Sequence, residues 1–398
     1  MTAPVVRRRW LVPALLSLLG FVCALIGVTG ALMLFPERLI GPTNWLSRST
    51  GSQTLEVFWK PSDGDIFAAL PGQVRPPPDD SPYAAFEIAW DADGFRKEAA
   101  SHAAHPVAVF GDSFTEGFNV QFPYADRLAG LLGVGVQNYG YRAYGPVEVA
   151  ETAAEFARAE PRDWVIWGYF SGNDLGDALR SPRVETSNPL AVWAAFLAKA
   201  RPTQTPPTPA LGDDGQPRYN MPVPVIIGAN YYDMAFVSYY GWWQQTPPDA
   251  RESRNVRRLV ASLDAFDSAA APETCRALVF IPPKELIYTR YIYPSQRGFI
   301  NATNQRIALA ESGVLVFAPA PIASTDEAAY FDSLYAHRNL VRGLIGERPG
   351  WAFIDLTPAF ERAASEGALL YYPYDTHWTQ AGHDLAAQVI AERLALGC

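Results

Sequence analysis

Beyond its first ten residues the chain has no run of lysine or arginine, and its 32 basic residues face 41 acidic ones, for a net charge of −9. A surface that binds phosphate backbones needs a basic stripe, so nucleic-acid partners are excluded. Histidine is scarce, with five in 398 residues. Two of them, His102 and His105, make the motif "HAAH", too sparse for a zinc site without further ligands; they read as solvated loop residues. Cysteine is scarcer still: Cys23 sits in an apolar N-terminal stretch, which leaves Cys275 and Cys398. In an oxidising compartment that pair can close one disulfide tying the C-terminus to the body; the alternative is two free thiols. Internal repeats are absent. What is present is a globular composition, 49% apolar and 18% charged, with 34 prolines and 30 glycines in a loop-rich chain. It suffices for a large core in one domain or two.

The N-terminus departs from that pattern. Arg7, Arg8 and Arg9 precede 26 uncharged residues from Trp10 to Phe35. As a helix this stretch runs roughly 39 Å, longer than the roughly 30 Å hydrocarbon core of a bilayer. The arginines should stay cytoplasmic, which places everything after residue 36 in the periplasm or outside the cell. The reading is a retained signal anchor on a single-pass membrane protein. A cleaved signal peptide is the rival, but its apolar region usually covers only about 7–15 residues.

Residues 37–105 form a lead-in and linker that includes the proline-rich "PGQVRPPPDDSP" at 71–82. From residue 106 onward, short and continuously apolar runs alternate with helical patterns. The runs lie at 106–110, 134–139, 164–170, 277–281, 314–318 and 351–356, as expected of parallel strands covered on both faces. Helical spacing marks a segment that starts at Pro146 and carries Val149, Ala153, Phe156 and Ala157, and also the segments 254–270, 326–347 and 379–396. The alternation predicts an α/β fold over 106–398, a three-layer α/β/α sandwich with a mostly parallel sheet, preceded by one transmembrane helix within residues 1–36. Residues 181–250 break the rhythm with a second proline-rich stretch and the aromatic "NYYDMAFVSYYGWW" at 230–243, and read as an insertion. Four uses of those aromatics stay open: stacking on sugar rings, lining an acyl pocket, resting on a membrane surface, or filling a small subcore.

Ligands of open α/β sheets sit at the carboxyl ends of the strands, so the residues just past each run matter. After the first comes Gly111-Asp112-Ser113-Phe114. After the second comes "NYGYRAYGP", with Gly140 and Gly145, and after the third "SGND", with Gly172, Asn173 and Asp174. Ahead of the last helix comes "YDTHWTQAGH", with Asp375 and His377. A serine hydroxyl needs an imidazole to take its proton, and the imidazole needs a carboxylate to fix its tautomer. Attack on an ester carbonyl creates an oxyanion that needs preorganised N–H donors. Each residue also has a plainer reading. Ser113 can cap the next helix. Gly140 and Gly145 can serve turns, Asn173 an Asx-turn, and Asp174 a helix cap. His337 reads as mid-helix and structural, His383 as structural, and Lys284 as a solvated loop lysine in preference to a contact for an acidic sugar. Among the histidines, His377 alone has a carboxylate two residues away in a loop.

Taken in order, the Gly-Asp-Ser, Gly, Gly-Asn-Asp and C-terminal Asp/His blocks resemble the SGNH (GDSL) hydrolase superfamily over roughly residues 90–398. "DGFRKE" at 93–98 is similar to the Gly-Phe-Arg lead-in of many bacterial members. The resemblance implies an SGNH/flavodoxin-like sandwich with Ser113 as nucleophile, His377 as general base and Asp375 as its orienter. It implies an oxyanion hole from the Ser113 and Gly140 N–H groups and the Asn173 amide, with no cofactor and no metal. Thr115 stands where a Gly-x-Ser-x-Gly elbow has its second glycine, so the α/β-hydrolase motif is absent. The usual last block is Asp-x-x-His, whereas here it is Asp375-Thr376-His377. That "DTHW" form, and "IPPKELIYTRYIYP" at 281–294, resemble the SGNH-type polysaccharide O-acetyltransferases, including the alginate-acetylating proteins. Those can carry the Asp-His block upstream of the serine; here it lies downstream.

The expected activity is acyl transfer through a serine ester on O-acyl groups, chiefly O-acetyl, of a cell-envelope or secreted polysaccharide, as esterase or O-acetyltransferase. For a transferase the resemblance implies a membrane-bound O-acyltransferase partner as acetyl carrier. The alternative is an inactive, anchored carbohydrate-binding or assembly subunit on the same fold.

Overall fold

Continuously apolar runs with β-branched and aromatic residues bury both faces only inside a sheet. The computed structural model describes residues 8–35, 86–178, 189–200, 223–293 and 327–398, plus five short strand pieces at 57–59, 67–69, 74–75, 210–211 and 217–218. Five of the six runs fall there and form one sheet: β1 (Val107–Gly111), β2 (Val136–Gly140), β3 (Trp164–Phe170), β4 (Cys275–Ile281) and β5 (Trp351–Asp355). The sixth, 314–318, lies outside the described residues, as does most of the proline-rich 71–82. The strand order is β5-β4-β3-β1-β2, and every pairing is parallel. The connection from β2 to β3 passes over β1, so the strand order reverses between β1 and β3, where such sheets open a crevice at their carboxyl ends.

Helices cover both faces. Val107, Val109, Ile166, Val279 and Ile354 share one core with Tyr124 and Leu128 of α3 (Tyr124–Leu132) and with Ala386 and Ile390 of α6 (Gln380–Leu394). On the other face Phe110 and Trp167 pack on Phe266 of α5 (Arg254–Ala269) at ring distances of 5.5 and 5.3 Å, and α5 lies along α4 (Pro146–Phe156). Local signals explain the helix starts. Pro146 opens α4 while Glu148 accepts the Gly145 N–H, and Ser253 caps α5 by accepting from Val256. The segment 326–347 is two helices, Glu327–Ser333 and Ala336–Gly346, so His337 lies near a helix start and not mid-helix. The chain tightens between them through Leu334 N–H to Phe331 and Tyr335 N–H to Asp332. The buried stripe of Tyr330, Leu334, His337, Val341 and Leu344 continues through the break.

The chain divides into two compact units. One comprises Leu55–Arg180 with Pro209–Cys398 and holds the sheet. The other comprises Met1–Thr54 with Ser181–Thr208, and in it α1 (Arg8–Leu34) meets the helix Pro189–Ala200. The stretch read as one insertion is therefore shared between them. Its later part, an antiparallel hairpin of Val223–Ile227 and Asn230–Met234, puts Val225, Ile227, Met234 and Phe236 into the main core. Phe236 thus joins the main core in place of a separate subcore, Trp243 is also buried, and Tyr231 is exposed. Within α1, Val12–Leu34 is long and apolar enough to cross a membrane, 23 residues at a mean hydropathy of 2.3. Cys275 and Cys398 form the disulfide, with Cα atoms 5.4 Å apart. It ties the last residue to the start of β4 and, by chain-entropy reckoning for a loop of that order, adds about 4–5 kcal/mol.

Candidate active site

Ser113 opens the short helix α2 (Ser113–Glu116) at the end of β1. Asp112 caps it, accepting the Phe114 N–H at 2.9 Å, and Gly117 closes it in the left-handed region at φ 64°. The turn fits because three glycines lie side by side on β2, β1 and β3: Gly111 pairs with Gly140 and with Gly168. A Cβ on Gly140 would stand 2.6 Å from the Glu116 nitrogen and from Thr115 Cβ; one on Gly168 would stand 2.5 Å from Thr115 Oγ1. The glycine row is thus a notch for buried Thr115. Asn138 donates to the Thr115 carbonyl at 2.7 Å, and Arg96 of "DGFRKE" braces the following loop through the carbonyls of Gly117, Val120 and Gln121.

Across from this turn the segment 371–378 forms a closed loop. Tyr371 and Trp378 bridge its base, and Trp378 is fully buried against Phe114 and Phe360. Asn119 donates to the Trp378 carbonyl at 3.0 Å. Lys284 corrects the expectation of a solvated lysine: it is buried, and its ammonium donates to the carbonyls of Tyr372 (3.1 Å), Pro373 (3.1 Å) and Asp375 (2.8 Å). These use all three donors, which excludes a contact with a sugar carboxylate in this arrangement. Burial pulls Lys284 down to about 8.

The two segments bring Ser113, His377 and Asp375 into one hydrogen-bonded chain. His377 Nε2 lies 2.8 Å from Ser113 Oγ, and His377 Nδ1 lies 2.5 Å from Asp375 Oδ1, which also accepts the His377 N–H at 2.9 Å. An ionised carboxylate only accepts, so the proton sits on Nδ1 and bare Nε2 accepts from the serine hydroxyl. Burial works against a charge on His377, but the Asp375 carboxylate outweighs it, with Asp112 and Glu116 adding, and the imidazole stands above its ordinary 6.5. Burial likewise works against charge on Asp375, yet His377 holds it below the ordinary carboxylate value. Asp112, buried behind the serine, is pushed up to about 7 by its burial, against the pull of the Phe114 N–H and the His377 charge.

The expected oxyanion donors are placed less uniformly. Nothing among the described residues accepts the Ser113 N–H. Gly140 lies where expected, at the end of β2, but its N–H donates to Asn138 Oδ1 at 2.9 Å, so its single hydrogen is engaged. Asn173 follows β3, next to β1, and donates one amide hydrogen to Asp177 at 2.9 Å. Asp174 accepts the Phe170 N–H at 3.0 Å, tying the strand end to its turn. The other histidines stand apart. His383 accepts the Tyr124 N–H, His337 bonds the Tyr169 hydroxyl, and burial lowers both to about 3. His102 and His105 pair with Glu98 at 2.8 and 3.3 Å. Among the described residues no cluster of three or more metal-ligating side chains occurs. Asn138, Gly168 and Asn119 were not singled out in the sequence; Arg96 was marked only through the Gly-Phe-Arg resemblance, and Lys284 was noted without its role in the loop.

Residues 346–397, which include Asp375 and His377, match the family of the SGNH hydrolase-like domain of acetyltransferase AlgX. No curated protein matches the chain. Similar solved structures include a member of the lipolytic G-D-S-L family from Veillonella parvula, 10% identical, covering 73% of this chain and 99% of that one at a TM-score of 0.35. Another is a carbohydrate esterase family 2 enzyme of Corynascus thermopiles, 11% identical, covering 78% and 70% at 0.33. A third is an acetyl xylan esterase from the rumen bacterium Butyrivibrio proteoclasticus, 9% identical, covering 78% and 68% at 0.28. Likenesses this low bear on neither mechanism nor substrate. Over residues 346–397 the family match bears out the SGNH resemblance and its acetyltransferase leaning.

Proposed function

We propose that the protein is an exported serine-dependent acyl-ester enzyme, anchored by residues 10–35, acting on O-acetyl groups of a cell-envelope or secreted polysaccharide. The observation that carries this is the continuous chain from Ser113 Oγ through His377 to Asp375, at 2.8 and 2.5 Å. Ser113 attacks the acyl carbonyl as its proton passes to His377 Nε2. The imidazolium, stabilised by Asp375, returns that proton to the leaving alcohol. The acyl group then leaves Ser113 for water, in an esterase, or for a sugar hydroxyl, in an O-acetyltransferase. The Ser113 N–H and the second amide hydrogen of Asn173 are the oxyanion donors; Gly140 joins them only by exchanging its bond to Asn138.

The arginines at 7–9 favour a cytoplasmic N-terminus and a catalytic unit in the periplasm or outside the cell. The AlgX match at the Asp-His loop favours transfer, with a membrane-bound O-acyltransferase delivering acetyl groups across the bilayer.

Turnover of p-nitrophenyl acetate tests the mechanism. Ser113→Ala should lower kcat on the order of 10⁶-fold, as loss of a serine nucleophile does. Equal rates would return the protein to the alternative of an inactive binding subunit. Asn173→Ala should cost about 10²–10³ in kcat; an unchanged rate removes it from the oxyanion site. Mass spectrometry of an oligosaccharide incubated with an acetyl donor separates the two outcomes, since new acetyl groups mean transfer and free acetate alone means hydrolysis.

A further inference from the structure

The helix Pro189–Ala200, "PLAVWAAFLAKA", has no charge before Lys199. It packs against the last turns of α1. Leu32 and Val192 are buried between the two helices, with Met33, Trp193 and Phe196 beside them. The Trp193 indole donates to Thr29 Oγ1 at 2.8 Å, and that hydroxyl donates to the Leu25 carbonyl at 2.8 Å. Both polar groups are therefore satisfied without water, as a lipid setting requires. From Val12 to Val28 α1 is exposed, and burial begins at Thr29, where the second helix meets it.

Two leucines of the second helix stay open in doing so. Leu190 and Leu197 are 80% and 53% exposed, and Leu34 and Phe35 at the end of α1 are 74% and 53% exposed. At 12 residues, roughly 18 Å, the helix cannot cross a core of roughly 30 Å. Thr29 lies roughly 26 Å along α1 from Val12, near the far edge of such a core. A tryptophan at that depth sits in the interfacial belt, where an apolar ring and a hydrogen-bonding N–H are both accommodated.

We propose that Pro189–Ala200 is a second membrane element, lying in the bilayer interface opposite the arginines, beside the exit of α1, with lipid acyl chains covering Leu190 and Leu197. The inference rests on the reading of α1 as a membrane span. Because the helix is spliced into the sequence of the sheet unit, between Asp174–Asp177 and the hairpin, it ties that unit's chain to the bilayer at a point additional to α1.

The test uses the full chain in lipid nanodiscs with an environment-sensitive fluorophore on one cysteine. Cys275 and Cys398 are bridged, so native Cys23 takes the label within α1. Leu197→Cys takes it on the second helix in a Cys23→Ser background, and Leu190→Cys provides an independent site. We expect Cys23 to be quenched by nitroxides deep in the acyl chains. Labels at 197 and 190 should show blue-shifted emission, quenched by shallow nitroxide lipids and insensitive to aqueous iodide. Deep quenching at 23 with iodide quenching at 197 and 190 would overturn the second element and leave the span standing. Quenching at 197 and 190 as deep as at 23 would overturn the interfacial placement. Iodide quenching at Cys23 itself would remove the span and the inference with it.

Discussion

The Ser113 turn and the Asp375–His377 loop meet across one 2.8 Å hydrogen bond, yet different parts of the molecule hold them in place. The turn is held mainly by backbone: the Asp112 cap, the left-handed Gly117 and a notch of three glycines aligned across β2, β1 and β3, with Asn138 and Arg96 bracing it and the loop that follows. What fixes the serine there is largely the absence of side chains. The loop is held by groups far away in sequence. Lys284 gathers three of its carbonyls, Asn119 a fourth, and Trp378 plugs its base into the core. A nucleophile built on backbone and a base built on remote side chains should respond differently to substitution.

Beyond loss of the nucleophile itself, the largest effect should come inside the base half. Asp375→Asn leaves the shape but removes the charge that fixes the tautomer, and kcat should fall about 10⁴-fold. The same change has a pH signature. His377 acts as base only when neutral, and Asp375 holds its pKa above 6.5, so kcat/KM should rise with pH and level off above that value. Without the carboxylate that limb should move to lower pH; a limb that stays in place would detach Asp375 from His377. Next in size is Lys284→Met, which leaves three loop carbonyls without their donor. Displacement of the loop should cost about 10² in kcat, with KM little changed. Steady-state kinetics on the folded variant would show it, and an unaltered kcat would mean that the loop holds itself. The smallest effect should fall on the glycine notch behind the turn. Gly140→Ala drives a Cβ against Glu116 and Thr115, and thermal unfolding should report a loss of about 1–3 kcal/mol.

The same contrast explains what the sequence could tell. Mainly apolar runs marked the five described strands, since a strand buried on both faces has little room for polar residues; Gln137 and Asn138 on β2 are the exception. The polar blocks after β1 and β3 stood out for the same reason. The burial of Lys284 did not, because lysine is almost never fully buried and its carbonyl partners lie about 90 residues away. Gly168 hid inside "WVIWGYF", where its value shows only once β1 and β3 are in register. The split of 326–347 was illegible because the buried stripe runs unbroken through it. The aromatics of 230–243 divided between core and surface according to a hairpin register that composition does not encode.

The central claim is that Ser113 carries the acyl group. Incubating the full chain with p-nitrophenyl acetate, quenching in acid and mapping the peptides by mass spectrometry tests it most directly. One acetyl group is expected on Ser113, absent from Ser113→Ala and slower to appear in Asp375→Asn. Turnover with Ser113 unmodified, and with the rate preserved in Ser113→Ala, would contradict it.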